Sequence, residues 1–226
     1  TEYDSDYLHK SLADSKLDNV SIYDCTSQWG VFSIAGPKSR NFLKKLVVSE
    51  DPDKTLSNKE FPWLSYRDIE IGMCPVRALR VAYTGELGWE LHHPIEMQNY
   101  LLDILLSSGK EFNLKLVGAR AQNWLRQEKS YKAFGSDLGR DAGPFESKLS
   151  RFVDINKNFL GKDALLKRKT DVSCVTLLID GPKDIDPWGR EALYNETEEV
   201  MLGRLTSAGY SVHFKRSIGI GYVKSS

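Results

Sequence analysis

The chain has 226 residues, 41% of them hydrophobic and 27% charged, an ordinary globular mix with length for one large domain or two smaller ones. Lys plus Arg and Asp plus Glu number 31 each, so the formal charge is zero, and neither a nucleic-acid partner nor an anionic membrane surface is indicated. No run of apolar residues approaches the roughly 18 needed to span a bilayer and no signal-peptide pattern is present, so a soluble chain is expected.

In chain order, residues 7–17 suit a short helix, and Val20–Asp24 and Gly30–Ala35 alternate as two strands. Gly36-Pro37 ends the second strand and leads into a helix with Phe42, Leu43 and Leu46 on its apolar face. Residues 47–62 are rich in loop formers. Strands are expected from Trp63 to Ile71 and from Val76 to Ala82. A helix begins near Pro94, with Met97, Tyr100, Leu101, Ile104 and Leu105 recurring at three and four, and Gly109 as its stop. A second helix runs from about Val117 to Gln127, residues 135–148 are turn-like, and Asn158 to Lys167 is helical. After Lys167-Arg168-Lys169-Thr170-Asp171 come short β-like runs at 172–179, 192–194, 199–206 and 218–223, the pattern of a small all-β module. Strands and helices in this irregular order indicate an α+β fold.

Three cysteines, Cys25, Cys74 and Cys174, are widely spaced with no Cys-x-x-Cys pair, so no zinc site or disulfide framework is expected. His92 and His93 are adjacent and in a strand point to opposite faces, so they do not chelate together, and no metal is expected. The cluster Lys162, Lys167, Arg168 and Lys169 suits either an anionic ligand tail or a solvated helix end.

The most informative stretch is Tyr83-Thr84-Gly85-Glu86-Leu87-Gly88-Trp89-Glu90-Leu91. It reads as a strand, a turn in which Gly85 and Gly88 supply positive φ angles, and a second strand. A tight reversal there would bring the Tyr83 phenol and the Glu90 carboxylate to one pocket wall. A carboxylate, with two parallel acceptor oxygens, matches a planar ligand edge bearing two adjacent N–H donors. An ordinary hairpin with exposed carboxylates fits the same residues.

The run Tyr83-Thr84-Gly85-Glu86-Leu87-Gly88-Trp89-Glu90 resembles the folate-binding signature of the glycine-cleavage T-protein (aminomethyltransferase) superfamily. Further blocks occur in matching order: Ile34-Ala35-Gly36-Pro37, Gly118-Ala119-Arg120, Glu128-Lys129-Ser130-Tyr131, Gly135-Ser136-Asp137-Leu138, Pro144-Phe145-Glu146, Trp188-Gly189-Arg190-Glu191 and Thr206-Ser207-Ala208-Gly209. Within the superfamily the likeness is greatest to the folate-binding C-terminal regions of sarcosine and dimethylglycine dehydrogenases.

The resemblance implies a ferredoxin-like α+β folate-binding portion over residues 1–168, followed by a C-terminal β-barrel domain over 169–226. It implies tetrahydrofolate as cofactor, with Glu90 holding the pteridine edge, Tyr83 against the same ligand and Arg120 steadying a polar part of it. Without the resemblance, Arg120 reads first as a residue that caps or pairs on a helix surface. Ala121 stands where the family usually has Asp. Tyr131, Gly135 and Asp137 are expected to shape the pocket, while Trp188 and Tyr210 equally suit the β-module core. No catalytic residue is assigned.

The function implied is one-carbon transfer onto tetrahydrofolate from an N-methyl amine-derived donor, with a non-catalytic folate-binding or regulatory module as the alternative. FAD is expected only in a full-length dehydrogenase, since no Gly-x-Gly-x-x-Gly fingerprint occurs here. An FAD-dependent dehydrogenase domain is the expected partner, in the cytoplasm or in a mitochondrial matrix. The N-terminal part of the family's folate domain and the last barrel strands are expected to be absent, leaving a fragment that needs its missing half or a reduced form.

Overall fold

A computed structural model describes residues 2–168, 171–181 and 186–224. The chain divides into two compact units, one formed by residues 1–81 and 88–114 and the other by residues 82–87 and 115–226.

The first unit opens with α1 (Glu2–Ser15), in which no residue is buried. Val20–Asp24 was expected as a strand but is irregular, and Tyr23 is largely exposed. Its alternation finds no neighbouring strand to pair with, and a strand needs that ladder. β1 (Trp29–Ala35), α2 (Ser39–Lys44) and α3 (Pro52–Thr55) follow. The short α3 starts where the Asp51 carboxylate accepts from the Lys54 amide at 2.9 Å and Pro52 supplies a helix-ready φ.

β2 (Tyr66–Ile71), β3 (Cys74–Leu79) and β4 (Gly88–Pro94) complete an antiparallel sheet of order β1-β4-β3-β2, and α4 (Gln98–Gly109) follows. The period-two pattern gives this sheet two distinct faces. Ile34, Trp89, Leu91, Val76, Ala78 and Ile71 are buried on one, as are Phe42 and Leu43 of α2 and Leu101 and Leu105 of α4. Burying each of the larger of these side chains contributes about 1.5–3 kcal/mol. Trp89 anchors the core: the Phe61 ring meets it edge-on at 6.2 Å and the Arg40 guanidinium lies 5.4 Å from its centroid. Trp29, Val31, Tyr66, Arg77, Glu90 and His92 alternate onto the opposite face, which is half-exposed to exposed.

β3 and β4 do pair, with Leu79 opposite Glu90, but the connection is longer than the tight reversal expected. Gly85 takes a positive φ of 73°, whereas Gly88 already lies in β4 opposite Ala35. Ladder pairing with β1 draws Gly88 into extended geometry. Residues 82–87 belong to the second unit.

In the second unit α5 (Ala119–Glu128) and α6 (Lys162–Lys167) precede β5 (Val172–Ile179), β6 (Ala192–Tyr194), β7 (Met201–Ser211) and β8 (Arg216–Lys224). The four strands form an antiparallel, barrel-like sheet of order β5-β8-β7-β6, so the α+β class and the terminal β module are those expected. α5 packs on β7, where Gly209 leaves room for Trp124: a Cβ there would come within 2.1 Å of the indole. Gly85 makes similar room for the Lys129 stem.

Candidate functional site

The second unit has an unusually polar interior. Arg126 and Asp137 form an ion pair whose side chains are 1% and 0% exposed. Arg126 donates further to the Tyr131 carbonyl at 2.7 Å, to Asn123 Oδ1 at 2.8 and 3.0 Å and to Ser207 Oγ at 2.7 Å. Asp137 accepts from the Ala133 amide at 2.9 Å and from the Thr206 and Ser207 hydroxyls at 2.5 and 2.7 Å. Consecutive strand residues normally point to opposite faces. Here the pairing with β8 shifts register between Leu205 and Ser207, and this bulge lets both hydroxyls reach one carboxylate oxygen. Each buried charge is thereby paired and hydrogen-bonded, as a low-dielectric interior requires. The sequence of α5 does not mark Arg126 as buried: the apolar Leu125 beside it is exposed, while the polar Arg126 and Gln127 face the interior.

Tyr83 lies in this unit. Its hydroxyl donates to the Lys132 carbonyl at 3.0 Å and its ring stacks on Tyr131 with centroids 6.4 Å apart. Burial raises the Tyr83 phenol above its ordinary value, with opposing influences from Arg126 and Asp137. Next to it, the Thr84 hydroxyl is buried with no hydrogen-bond partner among the described residues. An unmet buried hydroxyl costs free energy, and a polar ligand atom or a water would satisfy it.

Arg120 sits in the first turn of α5, after Gly118 in extended geometry. Its guanidinium lies 5.1 Å from the Trp124 ring and 4.8 Å from the Trp188 ring, and it pairs with Asp186. A cation at a helix N-terminus opposes the helix dipole, and the indole faces and the Asp186 carboxylate offset this. Trp188 is 76% exposed, which removes it from the barrel core. Its place is with Arg120.

A cavity of about 570 Å³ in the same unit is lined by Asn123, Ser136, Trp188, Arg190, Arg204 and Thr206, among others. Gly189 and Arg190, which border it, take φ values of 91° and 89°. A Cβ on Gly189 would come within 2.9 Å of the Thr206 carbonyl oxygen and the Ser207 Cα, so only glycine fits there.

Glu90 lies in the first unit, on the less buried face of the sheet, and its side chain is 35% exposed. His92 Nε2 stands 3.3 Å from Glu90 Oε2. As its neighbour in sequence predicts, His93 points the other way and is buried, with Nδ1 2.9 Å from the Leu91 carbonyl. The same less buried face carries a cavity of about 420 Å³ lined by Trp29, Asp68 and Arg77, among others, with Arg77 held to Asp68. The structure thus puts Tyr83 and Arg120 in one unit and Glu90 in the other.

Of the basic cluster, Arg168 is committed to the buried Glu146 at 2.9 Å, and Lys169 lies outside the described residues. Among the described residues no cluster of His, Cys, Asp and Glu could hold a metal, and no helix is long and apolar enough to cross a membrane.

Comparison with known proteins places this geometry in context. The family model described as the GCVT N-terminal domain matches residues 1–157, and that of the glycine cleavage T-protein C-terminal barrel domain matches residues 173–226. This corrects the expectation that the family's N-terminal part is absent and that only a C-terminal region is represented. The quoted motif blocks begin only at Ile34, and the exposed helix α1 carries no core pattern that would reveal kinship earlier.

Mouse dimethylglycine dehydrogenase is 38% identical over 212 residues, 91% of this chain but 23% of that protein. The aminomethyltransferase of Caldanaerobacter subterraneus is 30% identical over 215 residues, 95% of this chain and 56% of that protein. The chain therefore spans under a quarter of one relative and just over half of the other. The crystal structure of the glycine cleavage system aminomethyltransferase T from Bartonella henselae superposes with a TM-score of 0.70 at 23% identity, covering 87% of this chain and 52% of that one. At that identity the superposition supports the fold alone.

Proposed function

The chain belongs to the glycine cleavage T-protein family, and from that membership we propose that it is a tetrahydrofolate-binding, one-carbon-transfer module. Its setting is an enzyme like sarcosine or dimethylglycine dehydrogenase, or like the T-protein itself. We take the folate-binding portion as residues 1–168 and the barrel portion as residues 169–226. The donor is a one-carbon unit derived from an N-methyl amine, and FAD belongs to a partner dehydrogenase domain. The module works in the cytoplasm, or in the mitochondrial matrix of a eukaryote.

The observation that carries this reading is the Glu90 carboxylate, half-exposed and met among the described residues only by His92, on a strand that begins within the family signature. It offers a bidentate acceptor for a ring edge with two N–H donors. The buried Thr84 hydroxyl in the same signature, without a partner among the described residues, is a second group for which a polar ligand would provide one. Tyr83 contributes an aromatic face with its hydroxyl already fixed, and Arg120 contributes a planar cation held by two indoles. Tetrahydrofolate supplies, when bound, the nitrogens that accept the one-carbon unit. The chain's own residues orient it, which is catalysis chiefly by proximity.

Calorimetry with tetrahydrofolate tests this. The parent chain is expected to bind, and Glu90→Ala to weaken binding by roughly 2–5 kcal/mol through loss of a charge-assisted pair. No binding by the parent chain would sink the folate reading. A methylene-transfer assay on the same protein then separates a transferase from a module that binds without turnover.

A further inference from the structure

Two arginines and an asparagine amide contribute hydrogen-bond donors to the lining of the cavity in the second unit. Among the described residues, Arg190 and Arg204 have no ion pair and no side-chain hydrogen bond. Asn123 turns its oxygen to Arg126, which can only donate, so its amide NH₂ remains unused. The Thr206 and Ser207 hydroxyls direct their protons to Asp137 and add no donor to the cavity. Among the described residues no carboxylate lines the cavity; the nearby acids Asp137 and Asp186 are held by Arg126 and Arg120, and Glu191 accepts from the Trp188 amide at 2.8 Å. Arg190 and Arg204 are both exposed, so water and salt moderate their mutual repulsion, and an anion between them at low ionic strength would relieve what remains.

The backbone gives a separate reason. Arg190 has a φ of 89°, a left-handed conformation that favours glycine and penalises an arginine. A structural turn would be better served by a second glycine after Gly189. Trp188, largely exposed on the same lining, adds a planar apolar surface beside the cationic groups.

From the two arginines without a partner among the described residues, the unused Asn123 amide and the left-handed Arg190 together, we infer that this cavity is an oxyanion subsite that takes a carboxylate through Arg190 and Arg204. Its volume, about 570 Å³, falls within the range of small-molecule sites. Such a subsite stands apart from the folate reading. The carboxylate belongs either to a small free dicarboxylate or to the acidic end of a larger ligand.

Calorimetry on the full chain at low ionic strength, with glutarate, 4-aminobenzoylglutamate and tetrahydrofolate as probes, tests the inference. Arg190→Gly and Arg204→Gln are each expected to weaken binding at least tenfold. Arg190→Gly is expected to melt no lower than the parent, because glycine suits that φ, so lost binding cannot be ascribed to misfolding. Arginine-dependent binding of glutarate supports the subsite and identifies a free dicarboxylate as the source. Arginine dependence confined to 4-aminobenzoylglutamate and tetrahydrofolate supports it and assigns the carboxylate to the larger ligand. If no probe binds, or if every probe that binds is indifferent to both arginines, the subsite is overturned. Tetrahydrofolate binding that is lost in Glu90→Ala but unaffected by both arginine variants overturns the subsite and leaves the folate reading intact. Arginine-dependent glutarate binding without any tetrahydrofolate binding does the reverse.

Discussion

Arg126 and Asp137 are eleven residues apart in sequence and share an ion pair closed to solvent. Removing one partner leaves the other charge buried and uncompensated, a loss of about 3–5 kcal/mol. Asp137→Ala is therefore expected to lower the free energy of unfolding by that amount in urea titrations. Pairing it with Arg126→Met should recover much of the loss, because two apolar residues bury no charge. Additive losses in the double variant would show that the two side chains act separately.

Gly209 sets how closely α5 approaches β7. A methyl group there would meet Trp124 Cδ1 at 2.1 Å, and relieving the overlap means moving the indole or the helix. Gly209→Ala is expected to cost about 1–3 kcal/mol. Thermal melts of Gly209→Ala alone and with Trp124→Leu check this, the smaller side chain being expected to restore part of the loss.

Burial pushes the Cys174 thiol and the Tyr222 phenol above their ordinary values of 9.0 and 10.0. For groups raised in the folded state, stability is fully present below the unfolded value and is lost as pH rises through the folded one. Unfolding free energy is thus expected to hold up to about pH 9 and to fall beyond it, and Cys174→Ala should flatten the earliest part of that fall. The same burial protects the thiol. With Cys25 exposed and Cys74 and Cys174 buried, a thiol reagent near neutral pH should modify one cysteine quickly and the other two only after unfolding.

Arg120 tests what planarity is worth. Lysine keeps the charge but not the flat guanidinium that stacks on Trp124 and Trp188. On an exposed side chain the change should move stability by no more than about 1 kcal/mol. Tetrahydrofolate affinity is expected to fall in Arg120→Lys nearly as far as in Arg120→Ala. Full affinity in the lysine variant would reduce the role of Arg120 to bare charge.

Local periodicity made much of the fold readable. The recurrence of Tyr100, Leu101, Ile104 and Leu105 marked α4, and alternation from Gly30 to Ala35 marked β1. Features that depend on a distant partner were not readable. Val20–Asp24 alternates as well as β1 does but has no strand beside it, and Gly88 looks like a turn glycine until Ala35 is seen opposite. At the candidate site, the signature run showed which residue types to examine but not that residues 82–87 and β4 fall in different units. The Arg126 network was hidden for a related reason: its members are scattered from Asn123 to Ser207, and the bulge that turns Thr206 and Ser207 to the same side has no marker in the sequence.

The fourteen-residue helix α1 buries none of its side chains. Its persistence therefore rests on its own hydrogen bonds and on local pairs such as Lys10 with Asp6 at 2.7 Å, a regime in which helices of this length are marginal in water. Its amides should exchange with deuterium far sooner than those of the core strands β3 and β4, through opening events that leave the rest of the chain folded. Substitutions along α1 should then change those local exchange rates while leaving the midpoint of global unfolding where it was.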